Sequence, residues 1–347
     1  MSFQPAFQQA GPQPPDAVEP ARRGGLNRLG RLLIETPEAG VVTVCVLIFI
    51  LISVNAPTFH SVGNLQVVGR DLGQKGILAV GESLVILTGG IDLSVGALAG
   101  FAGIMAAWFN VNHGMPAPLA ILLTIVLCGV VGLWHGTMVT RLNVPPFVIT
   151  LVTYTVTIGA ALAITSGTPI SGTDPLFQNL SAYYVGQVPV PALIFVAAVV
   201  IAWFVLERTY VGRQIYAVGG NKEAARLAAI PVRRRITSVY VASSVLAGIV
   251  GILTVGRESG TADPSVGGSG WELVAIAAAV VGGVSLFGGE GRMLGIAAGA
   301  ILLEIISNGL LALHVNQYDL QMVQGGVLGV AILLDRWRAR YFGRDRT

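Results

Sequence analysis

The residues in this chain best suited to chemistry stand in apolar surroundings. The most conspicuous lies in Thr88-Gly89-Gly90-Ile91-Asp92-Leu93-Ser94-Val95-Gly96, where a carboxylate interrupts an otherwise apolar stretch. Such a carboxylate is costly without a polar partner, water or a helix end. Asp92 and Ser94 can cap a helix running on from Val95, because their oxygens accept from free backbone N–H groups. Gly89 and Gly90 allow close approach and unusual dihedrals. Two compatible roles follow for Asp92: a cap at a helix break, and a polar group at or near a solute path. Glu82 and Glu304 also interrupt apolar runs, and each either lines a cavity or bonds to a neighbouring helix.

A second pattern is Tyr216-Ala217-Val218-Gly219-Gly220-Asn221-Lys222-Glu223-Ala224-Ala225-Arg226-Leu227-Ala228-Ala229-Ile230. It reads as a short helix between apolar segments. Asn221 caps it, Glu223 sits favourably in its first turn, and Pro231 stops it. Such a helix is either a membrane-surface element or a plug that transmits force from a partner. Asp71 and Lys75 are spaced to pair along one helix face.

Other chemistries are missing. Cys45 and Cys128 both lie in apolar runs, with neither the spacing nor the neighbours of a metal or redox site. No metal or cofactor is expected. A phosphate-cradling Walker A loop needs Gly-Lys followed by Ser or Thr. Lys75 follows Gln74 and Lys222 follows Asn221, so any ATP hydrolysis belongs to another chain and this one is not expected to be an enzyme.

The elements that position these residues follow from composition. The chain has 347 residues, of which 53% are hydrophobic and 11% charged, with a mean hydropathy of +0.73. A soluble domain carries roughly 25% charged residues, so this chain lacks the polar surface to meet water all round. Its 45 glycines suit close helix packing in lipid. The net charge of +3 is clustered between apolar runs instead of forming the continuous basic face that nucleic acid requires.

The apolar runs predict an all-α polytopic transmembrane bundle of about ten helices, the last over Leu320–Leu334. Two runs are short, Gly76–Leu87 and Leu273–Leu286, and each ends in a glycine pair. Residues 1–38 form a basic tail, its first 25 residues or so disordered. Residues 39–335 form the membrane domain with a basic connection over 207–235, and residues 336–347 form a second basic tail. Connections 110–118 and 165–191 contain no Lys or Arg. The positive-inside rule then places both termini and the 207–235 connection in the cytoplasm. Arg257 is the exception, in an outer loop, where it and Trp271 are candidates to meet a docked protein. Trp108, Trp203, Tyr183 and Tyr184 fall near the expected membrane interfaces.

A shift of 199 residues lays Gly89, Gly90, Gly96 and Gly100 on Gly288, Gly289, Gly295 and Gly299. Glycine-interrupted short helices at matching places in two halves point to a transport pathway, here in a parallel repeat. Glu290, in the later block, is taken as the counterpart of Asp92. The pathway candidates are thus Gly89, Gly90, Asp92, Ser94, Glu82, Glu290 and Glu304.

Ile86 to Gly96 resembles the signature of ribose/xylose-type ABC importer permeases, within the branched-chain amino acid/monosaccharide permease superfamily. Gly219–Ile230 resembles that family's cytoplasmic coupling loop, and Gly282-Gly283-Val284-Ser285-Leu286-Phe287-Gly288-Gly289-Glu290-Gly291-Arg292 its third familiar block. The similarity runs from about Pro57 to Arg336. Ala229 stands where these permeases often have Gly, which alters the geometry of the coupling loop. The resemblance implies a bacterial inner-membrane subunit that moves a neutral, sugar-like solute. Its implied partners are two ATPase subunits, an extracytoplasmic solute-binding protein, a second permease copy forming a homodimer, and lipid. Gly219, Gly220, Asn221, Lys222, Glu223, Ala224, Ala225 and Arg226 would face the ATPases. The competing readings are an ion-coupled secondary carrier using Asp92, Glu82 and Glu304, a signalling or structural membrane protein, and a branched-chain amino acid permease, which the Gly-Gly-Ile-Asp-Leu-Ser block disfavours.

Overall fold

The computed structural model describes residues 37–265, 268, 270–316, 319–320, 322–327, 329–330 and 333. Residues 1–36 and 336–347, expected to form the two basic tails, lie outside the described residues. The described residues form an all-α bundle with one two-stranded hairpin, Tyr184–Val185 paired with Val188–Pro189.

The helices are α1 Pro37–Asn55, α2 Val62–Asp71, α3 Ile77–Leu87, α4 Val95–Ala107, α5 Ala117–Arg141, α6 Pro146–Thr165 and α7 Pro175–Ala182. They continue with α8 Val190–Trp203, α9 Tyr210–Gly220, α10 Lys222–Leu227, α11 Val232–Arg257, α12 Trp271–Val281 and α13 Met293–Ala312. Prolines set several starts: Pro116, Pro145 and Pro189 precede α5, α6 and α8, where a fixed φ and a missing N–H cost nothing. Six of the described helices, counting the π turns that extend α4 and α8, are long and apolar enough to cross a membrane. Helix α12 and the apolar part of α1 are shorter. The described residues of 319–333 are helical.

One expected short helix is not short. α2 and α3 run on through a π turn at Leu72–Gly76, making a helix that spans Val62–Leu87. At ~1.5 Å per residue this exceeds a ~30 Å hydrocarbon layer. The polar residues Asn64, Gln66, Arg70 and Asp71 depress the hydropathy of its first half, which is why the apolar run starts only at Gly76. α12 is short as expected.

Helix α11 forms the centre, packed against α3, α4 and α5. Close backbone approach makes this possible: a Cβ on Gly251 would lie 2.7 Å from the backbone nitrogen of Gly103 on α4. By contrast α5, α6 and α8 turn large apolar side chains outward, among them Leu122, Val126, Val152, Val156 and Ile201. That pattern of a small-residue centre and an apolar outside suits a bundle set in lipid.

Candidate functional site

The carboxylate of Asp92 is fully buried in the loop between α3 and α4, as are Glu82, Ser94, His135 and Tyr240 around it. Asp92 Oδ1 accepts the Ser94 backbone N–H at 2.9 Å and the Ser94 hydroxyl at 2.6 Å. Glu82 Oε1 accepts the Asp92 N–H at 3.1 Å. Asp92 therefore holds the turn at Ser94 and not the first turn of α4, and Ser94 spends its hydroxyl on Asp92 and accepts no backbone N–H of α4. From α5, His135 Nδ1 faces Asp92 Oδ2 at 3.8 Å, and its Nε2 lies 2.8 Å from Thr153 Oγ1 on α6. The ring also meets Tyr240 edge-on, with 5.8 Å between centroids.

Glu82 Oε2, Asp92 Oδ2, His135 Nδ1 and the hydroxyls of Tyr240, Ser243 and Ser244 are buried without hydrogen-bond partners among the described residues. An unpaired buried polar atom costs roughly 1–3 kcal/mol, and several on neighbouring elements mark a place kept polar for a purpose. His135 and Tyr240 escaped the sequence reading. The signal was present, because a lone histidine in an apolar run meets the same criterion that singled out Glu82.

The loop begins at Leu87, the last residue of α3, and there it meets the second sequence pattern. Gly219 packs against the Leu87 carbonyl, and Gly289 donates its N–H to the same oxygen at 2.9 Å. A Cβ on Gly288 would lie 2.8 Å from the Gly89 nitrogen. Gly89 and Gly288, matched by the 199-residue shift, both adopt left-handed backbone, with φ of +74° and +84°. The two glycine turns thus touch each other and the end of α9. Their preceding helices differ, since α3 reaches Leu87 while α12 stops at Val281.

Gly219 and Gly220 belong to α9, so the expected helix starts later. Asn221 caps α10, accepting the N–H groups of Glu223 and Ala224 at 3.0 Å each. α10 ends at Leu227, before Pro231, which instead precedes α11. Ala225 is buried and anchors this helix, leaving Asn221, Lys222, Glu223, Ala224 and Arg226 exposed. Leu227 is 89% exposed, an apolar knob beside charged residues that suits contact with a partner. Ala229 has φ of +58°, the left-handed backbone that glycine adopts most readily. Tyr216 on α9 donates its hydroxyl to the Gly291 carbonyl at 2.9 Å. Burial, reinforced by Glu207 and opposed by Arg292, pushes that hydroxyl up to about 12.

Asp71 and Lys75 do not pair with each other. Asp71 and Gln74 hold Arg257 at the end of α11, and Lys75 bonds Glu304 of α13 at 3.3 Å. A cross-helix partner of opposite charge outcompetes one on the same helix face when it lies within reach. Arg257 is thus engaged with Asp71 and Gln74, and Trp271 is half-buried at the start of α12. Glu290 is exposed in the loop before α13, in surroundings unlike those of Asp92.

An apolar helical bundle in which two matched glycine turns interrupt the helices and pack together has the make-up of a transport protein. The chain belongs to the family described as branched-chain amino acid transport system / permease component, which residues 73–333 match. The ribose import permease protein RbsC of Bacillus subtilis (strain 168) is 38% identical over 292 residues, 84% of this chain and 90% of that protein. The D-allose transport system permease protein AlsC of Escherichia coli (strain K12) is 36% identical over 260 residues, 75% of this chain and 79% of that protein. The galactose/methyl galactoside import permease protein MglC of Salmonella typhimurium (strain LT2) is 34% identical over 316 residues, 86% of this chain and 94% of that protein. No solved structure gives a significant match.

Proposed function

We propose that this chain is the membrane-spanning subunit of an ABC importer for a monosaccharide or similar neutral polar solute. The relatives named for ribose import, D-allose transport and galactose/methyl galactoside import, which cover most of the chain, support the solute class. They share a pentose or hexose scaffold, so the class is assigned and no single sugar is.

The observation that carries the mechanism is the meeting of Gly219 with Leu87 and Gly289. A push on exposed α10 passes through α9 to both glycine turns at once, with backbone against backbone and no side chain to absorb it. The ATPase subunits dock at residues 219–226 on this reading, and the arginine-rich end faces the cytoplasm of a bacterial inner membrane with both termini inside. A solute-binding protein delivers solute at the opposite end, near Arg257 and Trp271, to a homodimer of permeases. The glycine turns, Asp92, Ser94, Glu82, Glu290 and Glu304 are the positions assigned to the path or its support. Residues 39–335 constitute the permease domain.

The test is purification from the native membrane with identification of co-purifying chains. An ATPase subunit in stoichiometric amount is the expected result. The chain recovered alone, moving solute in liposomes on an ion gradient, overturns the reading in favour of an ion-coupled carrier.

A further inference from the structure

His135 occupies a junction that the transport reading does not by itself explain. It stands on α5, between α6 on one side and the Thr88–Ser94 loop on the other, with no exposure to solvent. Asp92 Oδ1 is already filled by the Ser94 N–H and hydroxyl, so Oδ2 is the acceptor left over, and it faces His135 Nδ1. A bare Nδ1 would set two lone pairs against each other in a buried place. A protonated Nδ1 gives each atom its complement. On the other side the Thr153 hydroxyl lies closer to Nε2, at 2.8 Å, than to the Ile149 carbonyl, at 3.1 Å, which suits donation to a bare Nε2. Thr150, on the same helix, reaches the Ile91 carbonyl at 3.4 Å, so α6 also touches the loop directly.

At 3.8 Å the Asp92–His135 contact is longer than a hydrogen bond. A movement of about 1 Å closes it to the ~2.8 Å of a charge-assisted bond. The loop that would move is gripped at Leu87 by Gly219 and Gly289.

We propose that His135 is a positioning residue: its Nδ1–H engages Asp92 and its Nε2 takes the Thr153 hydroxyl, so that displacement of the coupling segment is carried through the loop to α6. The inference rests on the transport reading for its functional consequence, while the contact itself does not.

Two measurements test it. In vesicles holding the full importer, His135→Leu is expected to keep solute-stimulated ATP hydrolysis while solute moved per ATP falls about tenfold or more. His135→Gln, whose amide can both donate and accept, recovers part of the loss. An unchanged ratio in His135→Leu overturns the proposal, as does a parallel fall of hydrolysis and uptake, which marks a purely structural role. The second measurement uses ¹⁵N-histidine-labelled permease in the assembled importer, with His60→Gln, His113→Gln and His314→Gln leaving His135 as the sole histidine. A protonated Nδ1 is expected and a bare Nδ1 overturns the proposal, so this spectrum decides the matter if His135→Leu does not fold. Wild-type uptake without ATP would sink the ABC-importer reading instead, and the nitrogen spectrum would still judge the contact.

Discussion

Gly219 on α9 lies against the carbonyl of Leu87 with no space for a side chain between them. The same oxygen takes the Gly289 N–H, so three separate segments meet at one backbone atom. Contact of this kind is stiff, because main-chain atoms cannot change rotamer to relieve a displacement. Stiffness is what a force-transmitting joint needs.

Gly219→Ala is therefore expected to pry α9 away from both glycine turns. Solute-stimulated ATP hydrolysis and uptake should fall at least ~10-fold, a loss equivalent to about 1.4 kcal/mol in rate. Gly159→Ala on α6 is the control, because a Cβ there meets nothing within 4 Å and the residue lies outside the 219–226 segment. Equal activity in the two variants would show that the joint does not carry the coupling.

Ala229 supplies a left-handed residue between α10 and α11 at φ +58°. That conformation costs an L-residue with a Cβ about 1–2 kcal/mol, part of which glycine returns through the greater freedom of its unfolded chain. Ala229→Gly should raise stability by about 0.5–1 kcal/mol, seen as a higher melting temperature of the purified complex. A lower melting temperature would mean that the Ala229 methyl makes a compensating contact.

Much of this was legible because it is local. Composition alone marks a membrane bundle, and Asn221 caps α10 through atoms two and three residues away. The glycine turns were visible as a repeat. What they touch was not, since Gly219 and Leu87 are joined only by the tertiary fold. The same limit explains Asp71 and Lys75: i,i+4 spacing makes them neighbours, yet Arg257 and Glu304 arrive from distant segments and take them. The continuity of α2 with α3 was hidden by polar residues that a hydropathy window reads as a boundary.

Lys75 and Glu304 form an ion pair whose side chains are 25% and 4% exposed. Removing the lysine leaves a buried carboxylate without its cation. A buried pair broken this way loses about 3–5 kcal/mol, and the partial exposure of Lys75 places the expected loss for Lys75→Met nearer ~2–3 kcal/mol, since exposed partners contribute less. The double variant Lys75→Met/Glu304→Leu should recover most of it, because an apolar pair needs no compensation in this setting. Thermal melts of the three proteins check the cycle. A double variant as unstable as Lys75→Met would show that Glu304 matters for something other than its ion pair.

Tyr216 gives a prediction with a pH window. Its hydroxyl bonds the Gly291 carbonyl and is pushed up to about 12 by burial and Glu207, against Arg292. An unfolded tyrosine titrates near 10, so the folded protein holds this proton more tightly than the unfolded chain does. The stabilisation it provides is complete below pH ~10 and is lost as pH rises from there through about 12. Tyr216→Phe removes the hydroxyl and with it that slope. The variant should be less stable by about 1 kcal/mol at neutral pH, for one lost hydrogen bond, and should lose less stability than wild type between those pH values. Parallel melting curves of the two proteins across that window would show that Tyr216 does not lock α9 to the Gly282–Arg292 turn.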